Sequence, residues 1–187
     1  MSNRSATASP ASDSTMHKSL QSLCCSLALC LTAALASAAP FVSPHGSLLT
    51  PPPGWRIDNS STSGNDLSLL APRGSAAGLP LVPAFAVKIT PGSGNLTVED
   101  LNQPLADGYR KTFAPATILS EIYSTVGGLR AINIVLTHPR NGSLVRDYQS
   151  VVIKGKSIYF FTAVCPDRVH AKYDGVFAQI LSSVRWK

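Results

Sequence analysis

TILSEIYSTVGGLRAINIVLTHPRNGSLVRDYQSVVIKGKSIYFFTAVCP, residues 117–166, is the stretch that decides the fold. From Thr117 to Val126, Ile118, Ser120, Ile122 and Ser124 recur at the strand period of two, and the run ends at Gly127-Gly128. Leu129 to His138 carries the apolar series Ala131-Ile132-Asn133-Ile134-Val135-Leu136. Arg140-Asn141-Gly142-Ser143 is a hairpin signal, because Asn-Gly accepts the positive φ angles of a tight primed turn. Leu144 to Ile153 follows, then the turn Lys154-Gly155-Lys156, then Ser157 to Cys165 with Ile158, Tyr159, Phe160, Phe161 and Val164. Connections this short between successive strands predict an antiparallel meander.

Upstream, Thr97 can cap a helix, and Asp100 three residues later completes a capping box. Val98, Leu101, Leu105 and Tyr109 then recur at three- and four-residue spacing, which predicts a helix to about Phe113 with Pro104 inside it. Before it, Phe85, Val87 and Ile89 alternate as a strand, and Asp66 to Leu70 is a second, shorter one. Arg73 to Pro83 and Asn59 to Asn65 read as loops, and Pro51-Pro52-Pro53 forbids helix in an extended lead-in from Ala39. Downstream, Asp167 is placed to cap a last helix whose apolar face is Tyr173, Val176, Phe177, Ile180, Leu181 and Val184. A stripe of that kind belongs on a sheet. The expected fold class is α+β: a single antiparallel twisted β-sheet with both helices packed on one face.

Composition bounds the function. The chain has 187 residues with 44% hydrophobic and 14% charged content, enough for one folded body. Its formal charge of +6 is spread along the chain with no run of three basic residues. Binding to phosphates by counterion release needs a concentrated basic stripe, so nucleic acid is not the expected partner.

The N-terminus points to export. His17 and Lys18 precede an apolar run of 13 residues, Leu23 to Leu35, and Ala36-Ser37-Ala38 is a small-x-small cleavage site. A spanning helix needs about 20 apolar residues, so residues 1–38 read as a signal peptide and not as a membrane span. The polar stretch before Met16 is expected to be a mis-assigned extension, with translation starting at Met16. Residues 39–187 then form a single α+β domain, periplasmic or secreted after cleavage near Ala38. Cys24, Cys25 and Cys30 leave with the signal, so Cys165 has no cysteine to pair with inside the remaining chain.

Four segments carry a resemblance: "SLLTPPPGW" (47–55), Gly127-Gly128 before a strand, "SIYFFTAVCP" (157–166) and "FAQILSSVRW" (177–186). Together they resemble the family of PsbP of photosystem II, the bacterial DcrB-type periplasmic proteins and a Ran-binding nuclear import factor. The resemblance implies a PsbP/DcrB-like fold over the whole body, no shared active site, and roles as assembly factors, chaperones or binding partners. The signal segment favours the exported bacterial branch.

The residues offer little chemistry to set against that. His45, His138 and His170 are far apart in sequence and lack metal-ligand spacing, and no serine elbow, phosphate loop or dinucleotide motif occurs. No catalytic residue, metal or cofactor is therefore expected. Glu99 and Asp100 are explained by a helix start, and Trp55 and Trp186 by core or edge packing. A binding surface is expected on the least constrained segments, with Arg73, Arg140 and Asn141 as its candidate residues. The expected function is an exported, monomeric, non-enzymatic protein that binds a protein partner in the cell envelope, as an inhibitor, immunity protein or chaperone of another secreted protein. Two alternatives stand beside it: a small envelope hydrolase using Cys165 or a serine with His138 or His170, and a structural envelope component.

Overall fold

The computed structural model describes residues 39–42, 46–59 and 64–187. The expected signal peptide over 1–38, the start at Met16 and His45 lie outside the described residues.

The chain enters through two short strands, β1 (Phe41–Val42) and β2 (Ser47–Leu49). It then lays down β3 (Arg56–Ile57), β4 (Leu67–Leu70) and β5 (Ala84–Pro91) before helix α1 (Val98–Thr112). The meander follows as β6 (Thr117–Val126), β7 (Leu129–Arg140), β8 (Ser143–Lys154) and β9 (Ser157–Pro166). Helix α2 (His170–Ser182) and β10 (Arg185–Trp186) close the chain. Seven strands form one antiparallel sheet in the order β3-β4-β5-β9-β8-β7-β6, so α1 carries the chain from the middle of the sheet to its far edge.

Turn chemistry sets the registers. Asn141 and Gly142 have φ of 51° and 75°, which pairs Arg140 with Ser143. Gly127 and Gly128 do the same for Val126 and Leu129. Thr97 caps α1 as its sequence predicts: its hydroxyl accepts from the Asp100 N–H, and the Asp100 carboxylate accepts from the Thr97 N–H at 2.9 Å.

The two helices lie on opposite faces of the sheet, which corrects the one-face arrangement expected from sequence. Neighbouring residues in a strand point to opposite faces, and the two cores divide accordingly. Ile132, Ile134, Leu136, Val151 and Ile158 pack with Val98, Leu101 and Leu105 of α1. Ala131, Val152, Tyr159, Phe161 and Ala163 pack with Tyr173, Phe177, Ile180 and the following Val184 under α2. The unbroken apolar runs Ile158-Tyr159-Phe160-Phe161 and Val151-Val152-Ile153 are the cause, since a strand apolar at every position must be covered on both sides. Each large side chain so buried stabilises by roughly 1.5–3 kcal/mol before entropy is subtracted.

Two further features differ from the sequence expectation. Asp167 does not cap α2; it starts a 3-10 turn, Asp167–Val169, and its carboxylate accepts from Arg146 at 2.7 Å instead. A guanidinium on the neighbouring strand β8 competes successfully for a carboxylate that would otherwise cap locally. A second, three-stranded sheet, β1-β2-β10, also forms, with Arg185 opposite Leu48 and Trp186 opposite Ser47. Trp186 donates its indole N–H to the Val126 carbonyl at 3.2 Å, edge-on to Tyr159. A Cβ at Gly127 would sit 2.5 Å from that indole nitrogen, so the turn needs glycine for space as well as for its φ of +58°.

Candidate functional site

α2 is too narrow to cover its face of the sheet. It runs along β9, over Phe85 and Phe161; on that side the end of β6 at Val126 and the start of β7 at Ala131 are buried, while Ile122, Ser124, Asn133 and Val135 stay at least partly open. Ile122 is 58% exposed there, and Asn133 and Val135 are half-buried. The result is a groove of about 330 Å³ between α2 and these strands. Phe177, Ala178 and Leu181 form its helix wall, and Val126 and Val135 belong to its sheet floor.

A polar row crosses that floor. The Ser150 hydroxyl donates to Asn133 Oδ1 at 2.6 Å, and Asn133 Nδ2 donates to Ser124 Oγ at 2.5 Å, linking β8, β7 and β6. Strand register explains the row, because Asn133 pairs with Ser150 and Ser124 lies on the same face one pair along. Each buried polar group satisfies its neighbour, while the Ser124 hydroxyl proton and the second Asn133 amide proton have no other partner among the described residues. An apolar trough with two directed donors can bind and orient a peptide or a small molecule. Its one carboxylate, Asp174, accepts from the Tyr148 hydroxyl.

At one end of the groove the Tyr148 hydroxyl donates to Asp174. Burial first, and that hydrogen bond second, hold the Tyr148 hydroxyl far above its usual pKa. His170 Nδ1 lies 3.2 Å from Asp174 and 3.1 Å from Arg146, which also pairs with Asp167. Charges here are matched with one another.

The α1 face has a second polar cluster, almost wholly buried beside a shallow cavity that Phe113, His138 and Arg140 line. His138 and Asp147 are 4% and 5% exposed, with Nε2 and Oδ2 2.5 Å apart. Nδ1 of the same ring lies 3.2 Å from the Pro139 carbonyl, and Phe113 stacks on the ring at 4.5 Å. Both ring nitrogens therefore have an oxygen partner, one a carboxylate and one a backbone carbonyl. Burial raises the Asp147 pKa, with His138 and then Arg140 pulling it back. Tyr109 is pushed up by burial and by the Asp147 charge. The Asn-Gly turn could have revealed this pair: it sets 140 opposite 143, which places 138 and 147 on one face as diagonal neighbours.

The sequence candidates do not converge. Cys165 is fully buried on the α2 face, on the opposite side of the sheet from His138. Burial, followed by the Asp174 charge, pushes its thiol up to about 12. His170 is occupied by Arg146 and Asp174 as described. Arg73 is exposed in a 3-10 turn, Arg73–Ala76, and Arg140 and Asn141 are exposed at the β7–β8 hairpin. The loop after Arg73 and that hairpin do come together, Pro80 and Leu144 lining one shallow cavity, but neither arginine lines the groove. Sequence reasoning missed Ser124, Asn133 and Ser150. Their signal is an amide in the middle of an otherwise apolar strand and a serine at its register partner.

Among the described residues no group of three or more His, Cys, Asp or Glu side chains could hold a metal, and no helix is long and apolar enough to cross a membrane. No family model matches the chain, and no curated protein matches it in sequence. Solved structures are similar to it. LpqN, involved in cell envelope biogenesis of Mycobacterium tuberculosis, superposes with a TM-score of 0.63 at 17% identity over 78% of this chain and 88% of that one. Cyanobacterial PsbP from Synechocystis gives 0.63 at 15%, over 84% and 97% of the two chains. The Saccharomyces cerevisiae Ran-binding protein Mog1p gives 0.55 at 9%, over 75% and 90%. At these identities the likeness shows the fold: this chain has the architecture shared by PsbP, Mog1p and LpqN.

Proposed function

We propose, on this PsbP-like fold, that the chain is an exported, non-enzymatic binding protein of the cell envelope that holds a segment of a protein partner in the groove beside α2. One observation carries the reading: an apolar trough with two unspent donors lies open, while every titratable cluster around it is internally paired. The cell-envelope role of LpqN and the protein-binding role of Mog1p support the same class of function. Within it, an inhibitor or a chaperone of another secreted protein fits a surface that binds without converting. The loop and hairpin with Arg73, Arg140 and Asn141 would lie outside the contact or at its rim.

The test is a photo-crosslinking residue at Ala178, which is exposed on the groove wall, compared with one at Gln103 on the outer side of α1. A single protein adduct from Ala178 and none from Gln103, in cells producing the full chain, is the expected result. Equal labelling from both positions, or none from Ala178, refutes the groove as the binding surface.

A further inference from the structure

The seven-stranded sheet ends in two unlike edges. β3 is two residues long and is too short to template another chain. β6 has ten residues, no proline and one charged side chain, Glu121. Three large apolar side chains stand exposed on it: Leu119 at 48%, Ile122 at 58% and Tyr123 at 41%. It pairs with β7 on one side only. A register shift between Ile118 and Ser120 breaks the first part of this edge, a common protection against pairing. From Ser120 to the turn at Gly127 the strand is regular and unprotected.

Strand parity says what that edge presents. The two-residue turn makes Val126 and Leu129 the hydrogen-bonded closing pair. Alternation then points the N–H and C=O groups of Thr125, Tyr123 and Glu121 away from β7, into solvent. The regular segment Ser120–Val126 has its centre at Tyr123, the middle one of those three.

We propose that β6 pairs antiparallel with β6 of a second copy of this chain, about a two-fold axis through Tyr123, joining the two sheets edge to edge. Tyr123 then meets Tyr123 of the second copy, and each Glu121 meets a Thr125. The three outward residues exchange about six main-chain hydrogen bonds in this arrangement. Charge selects the register. Arg130 lies opposite Thr125 on β7 and reaches over the Tyr123 ring at 4.7 Å, where Glu99 also holds it. The Glu121 of one copy therefore approaches the Arg130 of the other across a small threonine, and the two Glu121 side chains stay apart. Ile122 falls opposite Ser124 and loses much of its exposure. The groove floor, which Ser124 and Val126 help to form, becomes continuous with the second sheet. The contact is small, so the dimer is weak and reversible, with a dissociation constant on the order of 10–100 μM. Such a dimer departs from the monomer expected from the sequence.

Sedimentation velocity of the full chain across that concentration range reads the proposal. The weight-average mass rises towards twice that of one chain. Tyr123→Pro removes an N–H that faces solvent and so leaves the β6–β7 ladder intact, but it blocks pairing; it stays at the mass of one chain. Glu121→Arg weakens association about tenfold, and adding Arg130→Glu to it restores association. A wild-type chain that is monomeric throughout overturns the proposal. So does association that Tyr123→Pro leaves unchanged, or a charge exchange that fails to restore it.

Discussion

The two faces of the sheet solve the same packing problem differently. On the α1 face the helix covers β6, β7 and β8, and the polar groups that intrude, His138, Asp147 and Gln149, are buried and bonded to one another or to Tyr109 and Thr162. On the other face α2 covers β9 and its neighbours and leaves the outer strands partly open, with a polar row half-open to solvent. Buried polar residues thus mean different things on the two sides. Under α1 they are buried and bonded to one another. Beside α2 they keep donors for something else.

The largest expected effect tests how α2 is held. Phe177 packs against Trp55, Tyr148 and Tyr173, and Phe177→Ala removes about 4 kcal/mol of stability in urea titrations. A loss below about 1 kcal/mol would mean that α2 is not docked as described. Next comes the buried cluster. Asp147→Ala strands His138 in an apolar site and costs about 3 kcal/mol, whereas the double replacement of His138 and Asp147 by leucine recovers most of it. Normal stability in the single variant would contradict a purely structural pair.

Alkaline stability separates the faces more gently. Folding holds Cys165 protonated to about 12, against an ordinary 9.0, and raises Tyr109 and Tyr148 as well. The unfolded chain then releases protons that the folded chain keeps, so stability is level from neutrality to about pH 9 and falls from there to about pH 12. Cys165→Ala flattens the early part of that decline in thermal melts followed against pH. The smallest effect on stability is at the groove: Val135→Arg, on the half-open floor, costs less than about 1 kcal/mol because the side chain can turn to solvent.

Much of this is legible in the sequence. The turns at Gly127-Gly128, Asn141-Gly142 and Gly155 bound four strands to within two residues, and Thr97 with Asp100 marked the start of α1. The layering was written in the doubly apolar runs of β8 and β9, although counting stripes without counting faces put both helices on one side. Asp167 shows the limit of local reading: it could cap a helix or pair with Arg146, and only the register of β8 against β9 decides. The groove was illegible for the same reason. Asn133 and Ser150 stand out in their strands, but which part of the sheet α2 leaves bare depends on where Phe177 and Ile180 find their pockets.

The most direct measurement is the affinity of the crosslinked partner for three forms of the full chain: wild type, Val135→Arg, and Gln103→Arg on the outer side of α1. Wild type and Gln103→Arg should bind alike, with Val135→Arg at least tenfold weaker. Equal binding by all three, or loss only in Gln103→Arg, would contradict a partner seated on the half-open face.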